Sequence, residues 1–167
     1  GAAPVKDAVG EILAIGDRAQ LTGAIAGLHT AIANPFFSVG VQADLMNSDI
    51  NALYISQSGL TMGDRDYYLD PENENIRTAY KEYLGKLFRL AGIPEADIEK
   101  AVAGVMNIET KLAEKSWSNT ELRDIPAQYN PTAKAEFEKT YDAIDWPAYY
   151  KAMGIGDFDT IIVTTKS

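Results

Sequence analysis

From Phe37 to Ala43 the apolar residues recur at every second position, whereas on both sides of the β-prone stretch 37–57 they recur at every third or fourth. This change of period constrains the fold most, because side chains alternate across a strand but share one helix face at steps of three and four. A chain patterned in this way is mainly α, with one inserted β-hairpin at about residues 37–57. Phe37, Val39, Val41 and Ala43 alternate with Ser38, Gly40, Gln42 and Asp44; the turn-prone Asn47-Ser48-Asp49 then leads to Leu53-Tyr54-Ile55. An isolated hairpin is marginal in water, so this one must lie against other elements.

Helix starts and stops are marked just as clearly. Pro4 opens a first helix carrying Val5, Val9 and Ile12 as far as Ile15, and Asp17 caps a second whose stripe is Leu21, Ile25, Leu28 and Ile32 before Asn34-Pro35. Asp70-Pro71 opens a long helix through Ile76, Tyr80, Leu84, Leu87 and Ala91 to Gly92. Pro94 opens its antiparallel neighbour, with Ile98, Val102, Val105, Ile108 and Leu112 as the inner stripe. Residues 117–131 read as irregular. A helix begun near Thr132 carries Phe137, Tyr141 and Ile144, and Asp145-Trp146-Pro147 starts a last one that Gly154 ends. Ile161-Ile162-Val163 forms a short terminal β-prone run with no partner adjacent in sequence, from which we expect the natural polypeptide to continue.

Composition narrows the function. The 167 residues suit a single helical region, 1–167, large enough to bury roughly 70% of its unfolded surface. Fifteen Lys and Arg against 24 Asp and Glu leave a net charge of −9, which argues against a nucleic-acid partner. With no cysteine and one histidine, the chain alone cannot write a disulfide framework, a thiolate nucleophile or the usual multi-imidazole zinc site. No apolar run approaches the ~18 residues of a membrane span, and no leader-like segment opens the chain.

Few residues invite a chemical reading. His29 lies on the apolar side of its helix, either packed with one hydrogen bond or titrating for function. Asp64-Arg65-Asp66 could hold a carboxylate pair for acid–base work, as in a glycosidase, or a turn capped by Asp64 with Arg65 paired to a nearby carboxylate. Glu121-Leu122-Arg123-Asp124 allows the same two readings. Tyr67-Tyr68 and Tyr149-Tyr150 could present a carbohydrate platform or the docking surface of a free-standing acidic binding module, or could bury their rings. Gly154-Ile155-Gly156 lacks the third glycine and the strand–helix setting of a phosphate loop.

Taken in order, several stretches resemble the amino-terminal, non-catalytic region of the neprilysin family of zinc metallopeptidases, to which endothelin-converting enzymes and bacterial PepO oligopeptidases belong. They are Leu28-His29, Asn34-Pro35-Phe36-Phe37, Val39-Gly40-Val41, Asp44, Asn47-Ser48 and Gln57 to Leu60. The dense run Arg65-Asp66-Tyr67-Tyr68-Leu69 follows, then Glu109 to Ala113, Glu121 to Asp124, Tyr129-Asn130, Thr132 and Ile144-Asp145-Trp146. Departures are local: Met62-Gly63 stands where the family commonly has Leu-Pro, Met46 where it has Lys, and Ala135 where it often has Glu.

The resemblance implies a fragment of the helical cap domain of a larger two-domain peptidase. Its zinc and its His-Glu-x-x-His motif would lie in the missing catalytic domain of the same polypeptide, with short peptides as substrates. No residue here would be catalytic or a metal ligand. The two motifs Asp64 to Tyr68 and Glu121 to Asp124 would hold loops in place through ion pairs and ring packing, and Gln57, Asp145 and Trp146 would belong to the family's structural motifs. Absence of cysteine fits the bacterial branch better than the disulfide-bearing animal ectodomains. The resemblance leaves localisation open, favouring an extracytoplasmic bacterial setting, periplasmic or surface, over a cytoplasmic one.

Overall fold

The computed structural model describes residues 3–31 and 33–166. Its elements run α1 (Ala3–Leu13), α2 (Arg18–Thr30), β1 (Phe37–Ala43), β2 (Asn51–Gln57), α3 (Asp66–Leu69), α4 (Glu74–Ala91), α5 (Glu95–Lys115), β3 (Pro131–Ala133), α6 (Lys134–Thr140), α7 (Trp146–Met153) and β4 (Thr160–Val163). The protein is mainly helical with a small sheet, as the periodicity predicts. These elements form two compact units, one from Gly1–Ile15 with Leu60–Asn119 and the other from Gly16–Gly59 with Thr120–Ser167.

The first unit is helical. Asp70 accepts the Glu72 amide at 2.9 Å, Pro71 begins a 3-10 turn, and that turn runs directly into α4. Gly92 ends α4 in the left-handed conformation at φ 88°, where a glycine costs little and any side chain is strained. Tyr80 of α4 reaches Glu109 of α5, Gly85 faces Ile98, and Arg89 pairs with Glu95, so the two helices pack antiparallel. Two expected core positions differ: Leu87 and Ile108 are exposed, and on α5 the buried residue is the neighbouring Glu109. Its carboxylate is taken up by hydroxyl groups, which lets it share the inward face with Ile98 of the apolar stripe and with Ala113. In α1 the stripe residues Val5 and Ile12 are also exposed.

The second unit lays helices on a four-stranded sheet of order β1-β2-β4-β3. The predicted hairpin is present as antiparallel β1 and β2, in a register that sets Phe37 opposite Gln57 and Ala43 opposite Asn51. The terminal β-prone run is β4. It sits between β2, which it pairs in parallel, and β3, which it pairs antiparallel. Its partners were not legible because one is about a hundred residues away and the other is three residues long and begins with proline. Thr132 lies in that strand, so α6 starts at Lys134.

Asp17 caps α2 as expected, accepting the Gln20 amide at 2.8 Å. The buried face of α2 is nevertheless Thr22, Ile25, Ala26 and His29, while Leu21 is exposed. Ile32, the last member of the predicted stripe, lies outside the described residues. The opposing helix explains the shift. α7 presents Trp146, Tyr149 and Tyr150, and small or polar residues on α2 admit those rings where leucines would collide. Thr22 Oγ1 accepts the Asp145 amide at 3.2 Å, while Asp145 caps α7 by accepting the Ala148 amide.

Candidate functional site

In the first unit the Asp64 to Tyr68 motif forms a knot of hydrogen bonds. Asp64 Oδ1 accepts the Asp66 amide at 3.1 Å, the expected turn. Arg65 donates to the Ser116 carbonyl at 2.9 Å, a backbone partner where a carboxylate was expected. Arg77 spans the exit, donating to the carbonyls of Tyr67 and Asp70 and pairing with Glu74. Tyr68 is buried and accepts the Met62 amide at 3.0 Å, fixing the turn where Met62-Gly63 replaces the family's Leu-Pro.

At the centre of this knot lies Glu109, only 8% exposed. It accepts from Thr61 at 2.7 Å, from Tyr68 at 2.5 Å and from Tyr80 at 3.1 Å to both oxygens. A buried carboxylate is costly unless its lone pairs are filled, and here three hydroxyls fill them. Burial first, and then the nearby carboxylate, push the Tyr68 phenol well above its usual range. Tyr80 is pushed up to about 12, chiefly by burial. Both hydroxyls therefore stay protonated and remain donors. Sequence reading matched Glu109 to the family without giving it a role. The available signal was an acid set in the inner face of a long helix.

In the second unit His29 Nδ1 shares a 2.6 Å hydrogen bond with the Tyr149 hydroxyl, and the ring meets Phe37 edge-on at 4.8 Å between centroids. Burial lowers its pKa below 6.5, with the backbone of Pro35 and Phe37 acting weakly the other way; Nε2 has no hydrogen-bond partner among the described residues. Of its two readings, packing with one hydrogen bond is the one seen. Trp146 lies in the same cluster, its indole donating to the Tyr141 carbonyl at 2.6 Å. Gln57 ends β2 opposite Phe37.

Glu121 to Arg123 form an exposed 3-10 turn, and Asp124 Oδ1 accepts the Ala127 amide at 3.1 Å. This winds the chain toward Tyr129, whose hydroxyl donates to the buried Asp44 carboxylate, and Asn130, whose amide clamps the Val163 carbonyl. Tyr68, Tyr149 and Tyr150 are all buried, which leaves Tyr67 as the one exposed ring of the two tyrosine pairs; of the readings open to them, ring burial is the one seen for three of the four.

Each unit also has a cleft. In the first, a groove of about 890 Å³ between α4 and α5 is floored by Gly85, Ile98, Val102 and Met106. In the second, a cavity of about 400 Å³ lies beside β1 and β2, lined by Ser38, Gly40, Tyr54, Ile125 and Gln128. Among the described residues no three His, Asp or Glu side chains are placed to hold a metal ion, so this donor set does not fit zinc. No described helix is long and apolar enough to cross a membrane.

The profile of Peptidase family M13 matches residues 1–167. The chain belongs to peptidase family M13. Within this family, also called the neprilysin family, it corresponds to the amino-terminal region. This M13 segment is 39% identical to bovine (Bos taurus) endothelin-converting enzyme 1 over 146 residues, 83% of the segment and 19% of the enzyme. The human (Homo sapiens) enzyme is 36% identical over 141 residues, 80% of the segment and 18% of that protein. The segment thus spans less than a fifth of the length of the curated relatives it matches. Its fold superposes on the Mycobacterium tuberculosis zinc metalloprotease ZMP1 with a TM-score of 0.90 at 26% identity, covering 99% of the segment and 26% of that chain. PepO from Lactobacillus rhamnosis shares the fold at a TM-score of 0.79 and 18% identity, over all of the segment and 27% of PepO.

Proposed function

We propose that this chain is part of the cap of a zinc-dependent M13 oligopeptidase, restricting entry to short peptides and performing no bond chemistry itself. One observation carries the reading: the M13 likeness runs through all 167 residues, yet corresponds to under a fifth of the endothelin-converting enzymes. The zinc would be held in the remainder of the polypeptide, and no catalytic step is assigned here. The segment's own contribution is rigid packing, with the Glu109 hydroxyl cluster and the His29–Tyr149–Trp146 cluster holding loops that would otherwise yield to a large substrate.

Two measurements test this. The 167-residue chain incubated with zinc and a quenched peptide should remain inert; chelator-sensitive turnover by it would refute the proposal. In the full-length enzyme, loosening the cap with Glu109→Ala should raise kcat/KM for long peptides relative to short ones. An unchanged length preference in a variant shown to be loosened would remove the gating role.

A further inference from the structure

Strand β1 lies at the edge of the sheet, and its main-chain polarity can be worked out from its neighbours. The Ile55 carbonyl accepts the Thr164 amide, so the main-chain groups of Ile55 face β4. Val39, directly opposite Ile55, must then turn its own N–H and C=O away from β2. Asp44 bonding to the Ile50 carbonyl sets the same parity, with even-numbered residues facing β2 and Val39 and Val41 facing outward. Phe37 shares that outward parity, but its amide is already used by the Pro35 carbonyl.

Within β1 no residue blunts this edge. β1 contains no proline and no charged residue, the usual devices that keep an open strand from pairing. Val41 is 63% exposed, and Leu45, Met46 and Ile50 at the hairpin tip are exposed as well. On the sheet face opposite the core, the 400 Å³ cavity lies alongside β1. Gly40 contributes no side chain to it, and a Cβ built there would meet nothing within 4 Å.

An extended strand added to β1 would hydrogen-bond at Val39 and Val41 and point alternate side chains toward this cavity. Its wall of Ser38, Gln42, Tyr54, Ser56 and Ile125 suits a neutral residue. The curated relatives are about five times longer than the segment, so the same polypeptide has ample chain to supply such a strand. We propose that β1 pairs in the full-length protein with a fifth strand, donated by a part of the polypeptide outside these 167 residues and carrying a neutral side chain into the cavity.

This rests on the segment belonging to a longer M13 peptidase, which the mass of the natural product checks before any other measurement. In the full-length protein, hydrogen exchange resolved to single residues should show the Val39 and Val41 amides as protected as those of Gly40 and Gln42. Val41→Pro, which deletes the outward N–H and also holds φ at about −65°, should speed exchange across Phe37–Ala43, whereas Val41→Thr should not. Three results would overturn the proposal. They are fast exchange at Val39 and Val41, protection that appears only as protein concentration rises, which means a second copy, or protection that appears only with added peptide, which means substrate.

Discussion

Replacing Glu109 offers the sharpest check on how the first unit holds together. In Glu109→Ala the hydroxyls of Tyr68 and Tyr80 lose their acceptor while staying inside a packed interior, each costing about 1–3 kcal/mol. Thr61 is exposed and rehydrates at little cost. Freeing the protein from holding a buried carboxylate offsets part of the loss. The net expectation is about 3 kcal/mol for alanine and about 1 kcal/mol for Glu109→Gln, which keeps the volume and one acceptor oxygen. Urea unfolding followed by circular dichroism measures both. A cycle combining Glu109→Gln with Tyr68→Phe should give a coupling of about 1–2 kcal/mol, since the two groups touch at 2.5 Å. If Glu109→Ala costs under about 0.5 kcal/mol, or the coupling is nil, the carboxylate is not the centre of the network and the reasoning fails.

Further expectations concern titration and glycine. Burial lowers the His29 pKa, so its contribution to stability is fully present above 6.5 and is lost as pH falls from 6.5 through the folded value; a midpoint at or above 6.5 in the NMR titration of this single imidazole would contradict the burial argument. Burial holds Tyr80 and Tyr149 neutral to about 12 against an ordinary 10.0, so stability is intact below pH 10 and declines as pH rises from there through about 12. Ultraviolet titration should show these phenols ionising late; uniform ionisation near 10 with the fold intact would be the contrary result. Gly92→Ala should destabilise by about 1 kcal/mol because φ is 88° there, with the flexible end of Lys6 yielding at 3.1 Å. Gly85→Ala, inside α4 with contacts no closer than 3.6 Å, should stabilise by about 0.5–1 kcal/mol, and thermal melts of the pair should move in opposite directions.

Much of the fold could be read directly. Asp17, Asp70-Pro71, Gly92, Asp145 and Gly154 act on the backbone within a few residues of themselves, and each marks its helix end where the sequence places it. The hairpin itself was readable, since an alternating run, the turn-prone Asn47-Ser48-Asp49 and a second β-prone run follow one another, whereas its register, Phe37 opposite Gln57, came only with the fold. Which side of a helix turns inward was less legible. On α2 the buried set is Thr22, Ile25, Ala26 and His29 because the rings of α7 need shallow neighbours, and no count along α2 contains that information.

The candidate site divides along the same line. Asp64 was legible as a turn-former because a short carboxylate reaches an amide two residues on, and Asp124 forms a similar turn that was not singled out. Glu109 was not legible. Its partners Thr61, Tyr68 and Tyr80 lie 48, 41 and 29 residues away, and only folding reveals that three hydroxyls meet there.

The caps and the type of the longer elements, and the family to which they belong, are therefore written locally in the chain, since steric preference and hydrogen bonding to near neighbours act without reference to the rest of the molecule. The third dimension decided that β4 lies between β2 and β3, that a carboxylate takes an apolar position on α5, and that Tyr68, Tyr149 and Tyr150 turn inward. Those outcomes depend on filling space and satisfying buried polar atoms among residues far apart in sequence, conditions that exist only once the chain has closed on itself.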